Sequence, residues 1–259
     1  MVADVVDHTN YIAKSRASIE ALKSANLLKS VSINALILGE SGVGKLTLAK
    51  HISSAPIVDA ASFNDLLALI ETNHTLIVKN FHKITNYKKL RVALDVYKTR
   101  MIATSNVHID EAIVDDFFSL KILIPPLSKR QEDIAPLMEK FSLEARLMFD
   151  DAYGDTLSIE NIVPDVSKNC YSLRRSVYNA YLMNSFGEEE ILTMMQSFLS
   201  NRIGGRNDYR DLLYLFDVPM IKSGYAKFGS QLAISEKFGL NRNTLRKKIN
   251  DYKDRLTLD

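Results

Sequence analysis

The chain has 259 residues, 46% hydrophobic and 25% charged, enough for one large core plus a smaller unit or for two to three small domains. One cysteine, Cys170, excludes an intrachain disulfide, and five scattered histidines (His8, His51, His74, His82, His108) stand at no metal-site spacing, so no metal site is expected. No apolar run approaches the length of a membrane span, and residues 1–10 carry Asp4 and Asp7 without an apolar signal core, so the expected location is cytoplasmic.

The net charge of +2 hides an asymmetry. Residues 221–259 hold nine Lys and Arg against four Asp and Glu, a local +5 that leaves −3 on the rest. A basic terminal segment on a mildly acidic body points to a nucleic-acid module. A solvated helical face would read the same by charge alone.

In chain order, short apolar runs recur at residues 35–38, 56–58, 76–78, 101–103 and 122–124, with helical stretches between them. That alternation predicts βαβ units on a parallel sheet, an α/β fold. Pro125-Pro126 closes the last run. Beyond it the pattern turns helical, over 132–149, 158–186 and 188–199. Gly204-Gly205 marks a polar linker, and 208–259 is helical again. The expected organisation is an α/β subdomain over 1–127, an all-α subdomain over 128–199, a linker over 200–207 and a helical domain over 208–259.

Gly39-Glu40-Ser41-Gly42-Val43-Gly44-Lys45 follows the first apolar run and precedes a helical stretch. That strand–loop–helix context is what a P-loop needs: glycines let backbone N–H groups converge on phosphate, and a helix N-terminus adds partial positive charge. Lys45 would reach the β- and γ-phosphates. Leu46 stands where many such loops place a magnesium-binding hydroxyl. Thr47, one residue on, is turned away by roughly 100°.

The loop resembles the GESGTGK loop of the AAA+ domain in bacterial enhancer-binding proteins, the activators of sigma-54 RNA polymerase. Arg100-Met101-Ile102-Ala103-Thr104-Ser105-Asn106 resembles that family's sensor-one strand and keeps its asparagine, Asn106. Residues 124–134, IPPLSKRQEDI, resemble the start of its helical lid. The resemblance implies an AAA+ P-loop domain, a lid, and a site for ATP or ADP built from Gly39, Glu40, Ser41, Gly42, Val43, Gly44, Lys45, Leu46, Lys79 and Asn106.

The departures matter as much. The family's magnesium-binding Asp and catalytic Glu correspond to Lys79 and Asn80. A charged lysine cannot ligate magnesium, and an amide cannot act as general base. The arginine-finger stretch corresponds to residues 112–120, which contain no arginine. The sensor-two arginine falls at Ser172, with Arg174 and Arg175 nearby. No GAFTGA-like loop, which engages sigma-54 in the family, lies between Lys45 and Asn80. These departures predict a pseudo-ATPase with no catalytic residues and argue against magnesium; the Lys79 ammonium either takes the metal's place or lies exposed at the strand end beside an empty pocket. Two rivals remain: an active ATPase recruiting Asp115 or Asp116, and a protein that joins and modulates active AAA+ homologues.

Near the C-terminus, a helix over 230–238, Gly239 at a helix C-cap, Asn241 as N-cap and a basic helix over 242–250 read as a helix-turn-helix. Leu245 and Ile249 face its core. The string resembles the Fis-type module, also usual in the enhancer-binding family. That resemblance makes Asn241, Arg242, Thr244, Arg246, Lys247 and Lys248 the contact candidates for double-stranded DNA. It also implies a homodimer through the C-terminal domain on a palindromic site.

Overall fold

The computed structural model describes residues 11–148 and 162–256. Five strands, β1 (Ala35–Leu38), β2 (Ile57–Asp59), β3 (Thr75–Lys79), β4 (Arg100–Ser105) and β5 (Leu120–Leu123), form one sheet in the order β2-β3-β4-β1-β5. Every pairing is parallel. Their near-continuous apolar runs follow from burial on both faces. The period of two splits each strand. Leu36, Leu76, Val78, Met101 and Ala103 face one core, while Ile37, Ile77 and Ile102 face the other.

Helices α1 (Arg16–Ser30) and α2 (Lys45–Ile52) cover the second face through Ala25, Leu28, Leu48 and Ile52. Helices α3 (Phe63–Thr72), α4 (Tyr87–Tyr97) and α5 (Glu111–Phe117) cover the first, where Phe81 packs edge-on against Phe117 and Phe118 at centroid separations of 5.6 and 4.8 Å. The chain steps from β1 to β2 in one direction and returns across the sheet in the other. The change of direction opens a crevice at the carboxyl end of β1.

Helices α6 (Ile134–Met148) and α7 (Cys170–Ser185) pack on each other through Met138, Phe141, Ala145, Leu173, Val177 and Tyr181. The helix expected over 158–186 is shorter than its periodicity suggests. Residues 162–169 are irregular, ending in a turn over 167–169; Pro164 offers no backbone donor and the Asp165 carboxylate accepts from the Ser167 N–H at 2.9 Å. Residues 158–161 and 149 lie outside the described residues.

The chain divides into two compact units between Phe186 and Gly187. Helix α8 (Glu188–Ser200) therefore groups with the C-terminal unit and not with α6 and α7, as the 128–199 expectation had it. No α8 residue is buried, so its amphipathic period could not say which core it serves. After α9 (Asp208–Leu212), the helices α10 (Tyr214–Phe228), α11 (Gln231–Phe238), α12 (Arg242–Asp251) and α13 (Lys253–Leu256) close a small core around Ile221, Ile234, Leu245 and Leu256. Gly224 packs closely there: a Cβ would lie 2.8 Å from the tip of the Phe238 ring. Among the described residues no helix is long and apolar enough to cross a membrane.

Candidate nucleotide site and nucleic-acid interface

The loop between β1 and α2 turns on three glycines at positive φ, Gly39, Gly42 and Gly44. At Gly39 a Cβ would sit 2.4 Å from the Ile124 carbonyl, so glycine is obligatory. The carbonyls of all six loop residues are taken. Lys45 Nζ donates to Gly39 O at 2.7 Å and to Glu40 O at 2.6 Å. Asn169 Nδ2 donates to Ser41 O at 3.0 Å, Cys170 N to Gly42 O at 3.1 Å, Arg130 Nη2 to Val43 O at 3.1 Å and Leu48 N to Gly44 O at 2.9 Å. With every carbonyl engaged, the loop N–H groups and the first N–H groups of α2 are the groups left to meet an anion. Burial pulls Lys45 down to about 8, with Glu40 opposing.

The remaining expected residues fall around this loop. Asn106 Nδ2 donates to Ser41 Oγ at 3.1 Å, and Glu40 Oε2 accepts from Asn169 Nδ2 at 3.0 Å. Val43 is buried and Leu46 packs on the same core. A cavity of about 340 Å³ opens beside the loop, lined by Tyr11, Gly44, Lys45, Phe141, Tyr171 and Arg174 among others.

A buried ion pair braces the loop from below. Arg130 is 2% exposed and Asp133 is fully buried, their closest approach being 3.3 Å. Burial alone would push the Asp133 carboxyl up. Hydrogen bonds from Ser18 Oγ (2.5 Å), Ser15 N (2.8 Å), Lys14 N (2.7 Å) and Ser15 Oγ (2.9 Å) outweigh it and hold it below the usual carboxylate range. This network ties residues 14–18, and with them the Tyr11 segment, to Arg130 and so to Val43 O. The sequence held Arg130 and Asp133 in the lid motif without revealing the bonds they make. Asn169, adopting φ 54, was missed altogether, although its side chain also accepts from Leu127 N at 2.6 Å.

Around the expected sensor-two position the side chains part ways. Ser172 is buried and its hydroxyl donates to Asp165 O at 2.8 Å while accepting from Lys168 N. The residue one turn-step earlier, Tyr171, is the one lying over Gly42. Arg174 lines the cavity, stacks over Phe141 at 4.7 Å and pairs with Glu144 at 3.1 Å, whereas Arg175 turns to Asp165.

At the far end of β3, Lys79 Nζ lies 3.9 Å from Asp59 Oδ2 on the adjacent β2, its registered partner. Asn80, left-handed at φ 56, donates from Nδ2 to the same oxygen at 2.7 Å. Burial would raise Asp59. The Ala61 N–H, the Asn80 amide, Lys79 and Lys83 together hold it low. His82 Nδ1 lies 3.0 Å from Ser105 Oγ, and burial lowers its ring, assisted by Lys83 and Lys45 against Asp59. Asp115 instead pairs with Lys121 at 2.7 Å and Asp116 with Arg91 at 3.8 Å; neither lines the cavity.

In the C-terminal unit, Ser230 caps α11, and Gly239 at φ 64 ends it. Asn241 Oδ1 accepts from Asn243 N at 2.9 Å to start α12. Leu245 buries the inner face of α12, and Asn241, Arg242, Thr244, Arg246 and Lys247 are exposed. Lys248 points the other way: its Nζ lies 2.5 Å from Asp217 Oδ2 on α10, an oxygen that also accepts from the Tyr252 hydroxyl at 3.3 Å.

No known protein family and no curated protein matches the chain. Solved structures do. NtrX from Brucella abortus in complex with ADP is 16% identical at a TM-score of 0.57, over 97% of this chain and 70% of that one. NtrX in complex with ATP is 15% identical at a TM-score of 0.53, over 95% of this chain and 69% of that one. With these structural neighbours and a five-stranded parallel sheet in the order β2-β3-β4-β1-β5, the chain has an AAA+ fold.

Proposed function

We propose that this chain is a cytoplasmic DNA-binding transcription regulator whose AAA+ unit binds ATP or ADP and does not hydrolyse it. The observation that carries the reading is α12: a capped helix, seated by Leu245, whose outward face offers Arg242, Thr244, Arg246 and Lys247. Arg242 and Arg246 are four apart and suit base edges, while Thr244 and Lys247 suit phosphates. Lys248, committed to Asp217, serves this Fis-like module as a strut.

Nucleotide binding is supported by the loop whose carbonyls are all engaged, and by the ADP and ATP complexes of its neighbour NtrX. Hydrolysis is opposed by the Lys79–Asn80 strand end and by the pairing of Asp115 and Asp116 elsewhere. With no sigma-54-engaging loop, such a regulator does not power promoter opening. Phe216 and Met220, exposed and four apart on α10, favour a homodimer through the C-terminal unit on palindromic double-stranded DNA.

A mobility-shift titration at fixed salt tests the reading. Arg242→Ala weakens specific binding by about 1–3 kcal/mol, and Lys247→Ala lowers the salt slope by about one. Unchanged affinity in Arg242→Ala removes α12 from the reading role.

A further inference from the structure

A magnesium ion on a bound triphosphate is held by hard oxygen ligands, usually a hydroxyl after the P-loop lysine and a carboxylate at a strand end. Leu46 after the loop lysine decides little, since the resembled family usually lacks that hydroxyl, but the strand-end place carries the Lys79 ammonium. Asp59, the carboxylate beside that strand end, already accepts from Asn80 Nδ2 and, through Oδ1, from Ala61 N at 3.0 Å, and it faces Lys79. A dication brought to this corner would meet a like charge and a carboxylate already engaged by a lysine, an amide and a backbone N–H. The donor set does not fit magnesium.

It does fit a polyphosphate on its own. An ammonium is a compact charge with three donors on a flexible stem. Lys79 is 40% exposed and 3.9 Å from Asp59, a loose pairing that leaves its ammonium donors to share. Asp59 is anchored by two hydrogen bonds that do not involve Lys79, so it remains in place as a tether when the ammonium shifts towards a ligand. Lys45 supplies the second cation from the loop side. Resting on the reading of this loop as a nucleotide site, we propose that the site takes its nucleoside polyphosphate free of metal, with the Asp59-tethered Lys79 standing where the divalent cation would.

The test is calorimetric titration of the full chain with ATP, once in excess magnesium and once in excess EDTA. The two affinities are expected to agree within about threefold, and Lys79→Ala to weaken binding in EDTA by about tenfold or more, the loss of one charge-assisted contact. Lys79→Asp is expected to bind only when magnesium is supplied. Thermal melts of both variants close to the parent establish that the fold is intact. Wild-type binding that collapses in EDTA overturns the proposal and leaves the nucleotide reading standing. EDTA binding that Lys79→Ala leaves unchanged overturns the role of Lys79. No binding under either condition overturns the nucleotide reading and the proposal with it.

Discussion

Two parts of the same sheet end are built on different principles. At β1 the phosphate loop is held rigidly from outside, by Asn169 and Cys170 from α7 and by a buried Arg130–Asp133 pair beneath. At β3, two strands away, Lys79, Asn80 and Asp59 pair with one another near the surface. The contrast teaches that holding a phosphate chain and breaking it are separable tasks. Holding needs backbone geometry, which the whole fold enforces. Breaking needs a metal and a carboxylate at one strand end, where this chain carries Lys79 and Asn80, and the proposed function rests on that difference.

If the loop is braced and the strand end merely paired, their variants must differ in kind. Arg130→Ala leaves Asp133 buried without its cation and is expected to cost about 3–5 kcal/mol of folding stability, read by chemical denaturation. Asn80→Ala removes one partly exposed hydrogen bond and is expected to cost only about 0.5–1.5 kcal/mol. Equal losses would erase the distinction between the two regions.

A smaller effect sharpens the loop side. Lys45 sits at about 8 in the folded protein because burial disfavours its charge. A bound polyphosphate restores that charge, so binding takes up a proton above pH 8. Nucleotide affinity is expected to hold steady below pH 7 and to fall by up to about tenfold per pH unit above 8. The folding contribution has the opposite sign. The lysine is charged more readily in the unfolded chain, so its destabilising effect is fully present below pH 8 and is relieved as pH rises towards 10.5. Calorimetry in buffers of differing ionisation enthalpy reads the proton uptake; none at pH 8.5 would contradict the Lys45 assignment.

What could be read from the sequence was local. The five strands stand out because apolar runs alternate with helical spacing, and the loop stands out because its glycines and lysine are contiguous. Asn241 and Gly239 announce a turn because capping chemistry is a matter of neighbouring residues. What stayed hidden was made by distant partners. Asn169 reaches back to Glu40 and Ser41, and Asp133 reaches Ser15 and Ser18; neither leaves a periodic trace. Asp59 looked like the end of an ordinary strand until parallel register set it beside Lys79. Lys248 looked like one more cation on a basic helix until α10 brought Asp217 under it.

Phosphate release from ATP by the purified full chain, followed across a protein concentration series with DNA present and beside the Lys45→Ala variant, tests the separation of holding from breaking most directly. The account predicts ATP binding that the variant loses, with phosphate release at the buffer rate for both proteins. Release above that rate, abolished by Lys45→Ala, would contradict it.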